Sequence, residues 1–347
     1  MRIVLDATGG DEAPRINLEG AVEALTTWPD VEIILLGPAE TLAGEWKTVS
    51  AGKLTPEQEA RASIVDAPEI ITTEEHPAMA LRRKKLSPFV VGMQMVHNKE
   101  ADAFVSAGST GAVMAGAMFI VRCVKGIARP ALATILPVPE RPMLLIDCGA
   151  NVDCKPQWLA QFALMGSVYM NRVFGVKEPE IGLLNIGTED AKGNALTQEA
   201  NALMRAEQPF RYIGSVEARD ALAGKCDVLV TDGFAGNVLL KNTEGVVSFI
   251  FSMLKKSLMS STKGKIGALL AKDSFRSLKR SFDSTEVGGA PLLGVDGAVI
   301  KAHGSSNGHA IFCAIRQAKT MLEQGVAEEI REGVARLQTN TEPKTEE

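Results

Sequence analysis

Short, nearly continuous apolar runs recur along the chain, and most are followed by a longer stretch of helical periodicity. The runs at 2–7, 31–37, 62–66, 102–107, 131–137, 143–147, 181–186 and 226–231 predict strands. Helical patterns lie near 15–26, 88–99, 110–124, 156–174, 195–206, 234–258 and 305–336. Strands that are apolar on both faces belong in a sheet covered from both sides. The alternation therefore predicts an α/β fold, a three-layer α/β/α sandwich with a largely parallel sheet. The chain is expected to form a single domain over 1–338 with two lobes, and the polar tail 339–347 to be disordered.

Composition narrows the function classes. With 347 residues, 46% hydrophobic and 23% charged, the chain is neither a disordered polymer nor a coiled coil. It has no run of about 18 uncharged apolar residues, so no bilayer-spanning helix is expected. The first residues, Met1-Arg2-Ile3-Val4-Leu5-Asp6, hold too few apolar positions for a secretory segment. Five cysteines without a C-x-x-C pair read as reduced thiols in a cytoplasm. A net charge of −5 argues against general nucleic-acid binding.

The polar and glycine-rich residues collect where the strands end, which is where parallel α/β sheets bind ligands. Thr8-Gly9-Gly10-Asp11 follows the first run and extends the polar cluster begun by Asp6. Gly108-Ser109-Thr110-Gly111 follows 102–107. Asp147 through Lys155, with Asn151, follows 143–147. Asn185 and Gly187 through Asn194, with Lys192, follow 181–186. Asp232-Gly233-Phe234-Ala235-Gly236-Asn237 follows 226–231. Gly288-Gly289-Ala290-Pro291 and His303-Gly304-Ser305-Ser306-Asn307 come late. Each turn is expected to precede a helix, whose free N–H groups suit an anion. The plainer alternative is that these residues make tight turns and N-caps. The repetition of such loops points to a phosphate-bearing ligand. None is a Walker A loop or G-x-G-x-x-G, and no metal or cofactor is expected.

Within these loops, Lys155 and Lys192 can meet a phosphate as point charges. Asn237 can donate to a developing oxyanion or cap a helix. His303 is the one histidine in a site-like context, possible also as a hydrogen bonder that orients its loop.

The charge is uneven. Residues 246–282 hold eight basic residues and one acid, a local +7, so the remainder carries −12 (−5 − 7). Residues 246–259 are apolar almost all round, which suits a buried or dimer-interface helix. Spaced at about 100° per residue on one helix, Lys265, Lys272, Arg276, Lys279 and Arg280 share an arc. Leu269 and Leu278 fall on different apolar faces. A break near Asp273-Ser274, with Ser274 capping a second helix, reconciles them, giving a basic amphipathic segment over 246–283. A solvated face, docking of an acidic carrier protein and adsorption to an anionic membrane all remain open for it.

Together these segments resemble the PlsX family of phosphate acyltransferases, in family order over about residues 1–320. The resemblance rests on Val4 through Asp11 with Ala13-Pro14, Ser106 through Ala112, Asp147 through Lys155 and Gly182 through Gly187. It continues through Lys192-Gly193-Asn194, Asp232 through Asn237, Gly288 through Gly294 and His303 through Asn307. Thr8, Ser109 and Thr188 depart from the usual Met, Asn and acidic residue. The resemblance implies a homodimer with a fold related to phosphotransacetylases and to isocitrate- and isopropylmalate-dehydrogenase-like enzymes. It implies transfer of a fatty acyl group from acyl-acyl carrier protein to inorganic phosphate. The acyl phosphate would feed a membrane glycerol-3-phosphate acyltransferase in phospholipid synthesis, so peripheral membrane association is expected. A coenzyme A-dependent phosphotransacetylase, a β-decarboxylating dehydrogenase and a non-enzymatic membrane-surface scaffold are the rivals.

Overall fold

The computed structural model describes residues 1–136, 138, 141–206, 208–281 and 288–339. The tail 340–347 and the end of the basic segment, including Phe282, lie outside them.

All eight expected strands form: β1 (Arg2–Asp6), β2 (Glu32–Gly37), β3 (Ala62–Asp66), β4 (Ala103–Ser106), β5 (Ala131–Leu136), β6 (Met143–Ile146), β7 (Glu180–Asn185) and β9 (Val228–Val230). Three more were not expected: β8 (Arg211–Glu217), β10 (Ala290–Leu293) and β11 (Ala298–Lys301). They join one sheet of order β3-β2-β1-β4-β11-β10-β5-β6-β9-β7-β8. The turn at Gly288-Gly289 therefore leads into strand β10 rather than a helix.

The helices are α1 (Arg15–Thr27), α2 (Ala39–Ser50), α3 (Pro56–Glu59), α4 (Pro77–Arg83), α5 (Pro88–His97), α6 (Thr110–Gly116), α7 (Pro156–Phe174), α8 (Ala195–Arg205), α9 (Ala218–Ala221) and α10 (Gly233–Met259). Then come α11 (Thr262–Leu270), α12 (Lys272–Ser281), α13 (Gly308–Glu323) and α14 (Val326–Thr339). The helix expected over 110–124 becomes α6 followed by a π-helical turn, Ala117–Val121. The helix expected over 305–336 splits at Gln324-Gly325, where Gly325 takes φ +60°.

Alternation along the strands builds the three layers. Ile3 and Leu5, Ile33 and Leu35, Val228 and Val230 face one core, with α1, α7 and α13. Val4, Ile34, Leu36 and Leu229 face the other, with α4, α5 and α6. A strand places successive side chains on opposite faces, so each run must be apolar throughout.

Two short strands reverse the sheet. β10 is antiparallel to both β11 and β5, and β5 is antiparallel to β6. Strands β3-β2-β1-β4-β11 therefore run one way and β6-β9-β7-β8 the other, each group parallel within itself. These are the two lobes. Their strand carboxyl ends leave from opposite edges of one sheet. β10 is four residues long, so the edges are about 13 Å apart there.

The basic segment differs most from expectation. Gly233, Gly236 and Thr243 are the buried residues of α10, so the helix leaves the body after Thr243. The remaining 16 residues extend about 24 Å. Phe249, Ile250 and Met253 are exposed, which rules out burial of 246–259 within this chain. The break falls at Ala271, and α12 starts at Lys272, so Ser274 is not its cap. Lys265 thus lies on α11, apart from Lys272, Arg276, Lys279 and Arg280 on α12. Among the described residues no helix is long and apolar enough to cross a membrane.

Candidate active site

The first edge gathers the loops after β1, β4 and β11. Asp6 is fully buried at its base. Its Oδ1 accepts from the Thr8 N–H (2.9 Å) and hydroxyl (2.8 Å), and its Oδ2 from the Ser106 hydroxyl (2.7 Å). Burial pushes the Asp6 carboxyl up, and these hydrogen bonds oppose the shift. Thr8, the departure from the family pattern, thus uses its hydroxyl as an Asp6 partner. Ser106 Oγ also accepts from Gly108 N–H at 2.9 Å. Gly9 must lack a side chain, because a Cβ there would stand 2.5 Å from the Gly108 nitrogen. Gly10 takes φ +104°, and the Asp11 N–H donates to the Gly304 carbonyl at 2.8 Å. These bonds lock the three loops together.

Around this base, Ser109 caps α6 and Asn307 caps α13, accepting from Ala112 N–H (3.4 Å) and Ala310 N–H (2.9 Å). Thr110 and Gly111 form the first turn of α6. His303 Nδ1 accepts from Ser305 N–H at 3.2 Å and lies 2.8 Å from the Ser305 hydroxyl. Ser306 is buried behind them.

Sequence reasoning missed Lys301, which ends β11 on this edge. It is buried, and its Nζ donates to the carbonyls of Ala302 and, at 3.5 Å, Ala107. Burial pushes its ammonium down to about 8, while the charges of Asp6 and Asp11 pull it back up. The available signal was a lysine at the carboxyl end of the apolar run Ala298-Val299-Ile300.

The second edge gathers the loops after β6, β9 and β7, three adjacent strands. Asp147, buried, accepts from Leu132 N–H (3.0 Å), Ala150 N–H (3.1 Å), Asn151 N–H (2.7 Å) and Asn151 Nδ2 (2.9 Å). The Asn151 carbonyl accepts from Gly233 N–H at 2.7 Å, which joins the β6 loop to the start of α10. A Cβ on Gly233 would come 2.7 Å from the same Asn151 oxygen. Asp232 caps α10, accepting from Ala235 N–H at 2.7 Å. The cap is therefore Asp232 and not Asn237, which stands exposed one turn further on and faces Gly149. Lys155 is exposed just before Pro156 opens α7.

One strand over, Asn185 Nδ2 donates to the Lys192 carbonyl and to Ser215 Oγ, both at 3.2 Å. Gly187 packs close to Glu189 and Lys192, and the Lys192 side chain is exposed. Lys192, Lys155 and Asn237 thus share one edge. His303, Ser305 and Ser306 belong to the other. The loops expected to act as one set form two groups with the short β10 and β5 between them.

Two thiols lie in the β6 loop. Burial raises Cys148 well above the usual thiol range and pushes Cys154 up to about 12. Both are protonated at neutral pH and are poor nucleophiles.

Known proteins share this layout. The fold is similar to that of a phosphotransacetylase from Streptococcus pyogenes (TM-score 0.56, 19% identity, 95% of this chain and 94% of that one). A branched-chain phosphotransacylase from Enterococcus faecalis is similar (TM-score 0.55, 14% identity, 93% and 99%). A putative 4-hydroxythreonine-4-phosphate dehydrogenase from Salmonella typhimurium (TM-score 0.50, 10% identity, 92% and 99%) shares the fold. In sequence, the family model described as "Fatty acid synthesis protein" matches residues 1–329. The phosphate acyltransferase of Lysinibacillus sphaericus is 49% identical over 339 residues, 97% of this chain and 99% of that protein. That of Clostridium novyi is 47% identical over 331 residues, 95% and 98%. With identity of that order over nearly its whole length, the chain belongs to the PlsX family of phosphate acyltransferases and is an acyltransferase.

Proposed function

We propose that this enzyme moves a fatty acyl group from the thioester of an acyl-acyl carrier protein to inorganic phosphate, giving acyl phosphate for phospholipid synthesis. The observation that carries the reading is the edge where Asn237, Lys192 and Lys155 stand free while both nearby thiols are held protonated. Phosphate is a nucleophile at neutral pH, so the protein needs to hold and aim it rather than supply its own nucleophile. Lys192 and Lys155 offset the phosphate charge. A phosphate oxygen attacks the thioester carbon, and the Asn237 amide donates to the oxyanion that forms. Collapse breaks the C–S bond, and the carrier leaves as a thiolate that takes up a proton. The transfer is direct, with no acyl-enzyme. On the first edge, His303 orients Ser305, and the Gly9-Gly10, Ser109-Thr110 and Ser306-Asn307 loops bind the remainder of the substrate.

The test is hydroxylamine trapping of acyl phosphate from palmitoyl-carrier protein and phosphate. A signal with the carrier thioester is expected. A signal with acetyl-coenzyme A alone would favour a phosphotransacetylase, NAD reduction a dehydrogenase, and no turnover a scaffold. Lys192→Ala should lower kcat by orders of magnitude with the fold intact.

The projecting arm supports a second reading, a homodimer at an anionic membrane surface in the cytoplasm. Exposed Phe249, Ile250 and Met253 on α10 suit pairing with a second copy. Beyond them, Leu269 (71% exposed), Leu270 and Leu278 stand among Lys265, Lys272 and Arg276. Apolar residues beside cations suit adsorption to anionic lipid, where each cation contributes about 1 kcal/mol. There the product would reach a glycerol-3-phosphate acyltransferase. Sedimentation with anionic liposomes should weaken for Leu269→Glu and Leu278→Glu. If both bind as the parent does, these leucines do not insert into the membrane.

A further inference from the structure

Four apolar side chains stand in solvent on the edge that carries Lys192 and Asn237. They are Val152 (59% exposed), Ile186 (79%), Phe234 (63%) and Val238 (54%). Val152 comes from the loop after β6, Ile186 from the end of β7, and Phe234 and Val238 from the first turns of α10 after β9. Because β6, β9 and β7 are neighbours, these residues share one stretch of the edge, about 10 Å across. The segments that carry Phe234 and Val152 are tied together, since Gly233 N–H is bonded to the Asn151 carbonyl. Val238 lies one helical turn beyond Phe234, on the same face of α10. Asn237 is its immediate neighbour.

Grouped apolar residues in water mark a binding surface, and here polar groups suited to acyl chemistry stand among them. The occupant must join a reacting carbonyl to a hydrocarbon. We propose that Val152, Ile186, Phe234 and Val238 seat the part of the acyl chain next to the thioester carbon and make the enzyme favour long acyl donors over short ones. This rests on the reaction proposed above and adds where the chain lies. The chain crosses the ends of β6, β9 and β7, with its carbonyl towards Asn237.

The test compares kcat/KM for palmitoyl- and butyryl-carrier protein in the trapping assay, using Phe234→Ser and Ile186→Ser. One methylene contact in an apolar site changes discrimination by roughly 10–200-fold, and a seat open to water belongs at the low end. Each variant should lose about tenfold with palmitoyl donor and little with butyryl donor. Phe119→Ser, equally exposed on the π-helical turn, should change neither. Equal losses with both donors, or no loss, overturn the proposal. So does a change of oligomeric state in sedimentation velocity, which would make this surface an interface between copies. Absence of acyl phosphate from the unmodified enzyme with either donor overturns the reaction itself, and the seat with it.

Discussion

Lys301 gives a stability prediction whose sign and size follow from its surroundings. Burial holds its ammonium at about 8, against an ordinary 10.5 in the unfolded chain. Between those values the unfolded chain binds a proton that the folded chain does not, so stability rises with pH. The contribution is complete above pH 10.5 and is lost as pH falls through 8. A gap of that width corresponds to about 3 kcal/mol at 1.36 kcal/mol per pH unit, of which about 1 kcal/mol falls between pH 7 and pH 9. Lys301→Met keeps most of the side-chain volume and removes the charge. Urea denaturation of both proteins at pH 7 and pH 9 isolates the effect, since every other titrating group is common to the pair. The parent should gain about 1 kcal/mol on the variant between the two pH values. A difference that does not move with pH would mean that Lys301 reaches water in the folded chain, and the reasoning would be wrong.

Three other outcomes test the two edges. Asn237→Ala should lower kcat about 10²–10³-fold with palmitoyl donor, the usual effect of deleting one oxyanion donor, at unchanged circular dichroism. Ser106→Ala leaves Asp6 Oδ2 and Gly108 N–H without their shared partner and should cost about 1–3 kcal/mol in urea denaturation. Cys148→Ala and Cys154→Ala should each retain turnover. Loss of activity in either, with the fold intact, would point to a covalent acyl-enzyme.

What the sequence reveals and what it conceals have physical causes. Most strands buried on both faces announce themselves as unbroken apolar runs, and all eight expected strands formed, among them β3, an edge strand that is only half-buried. β8 stayed hidden because Arg211, Gly214, Ser215 and Glu217 interrupt it, as an edge strand with one neighbour permits. β10 and β11 are four residues each and flanked by glycines, so they read as loops. Their omission also concealed the reversal of the sheet, because direction is a property of pairing and not of composition. The loops themselves were legible, since turn and cap residues carry local signals. Their division between two edges was not. Lys301 looked like any lysine beside a loop, and only the burial imposed by β4 and β10 on either side sets it apart. On the arm, periodicity alone could not separate an apolar helix packed inside the chain from one that projects out of it.

The insertion of β11 between β4 and β10 has a consequence for synthesis on the ribosome. The first lobe is begun by residues 1–106 and finished by β11 and α13, which packs on α1. While residues 107–297 are being translated, β4 presents a bare edge and α1 an uncovered apolar face. At about 5–20 residues per second that interval lasts on the order of ten to forty seconds. An open parallel edge invites pairing with other nascent chains. The lobe begun by residues 1–106 therefore cannot mature as those residues emerge, and its folding waits for β11 and α13, which are made only after residues 107–297.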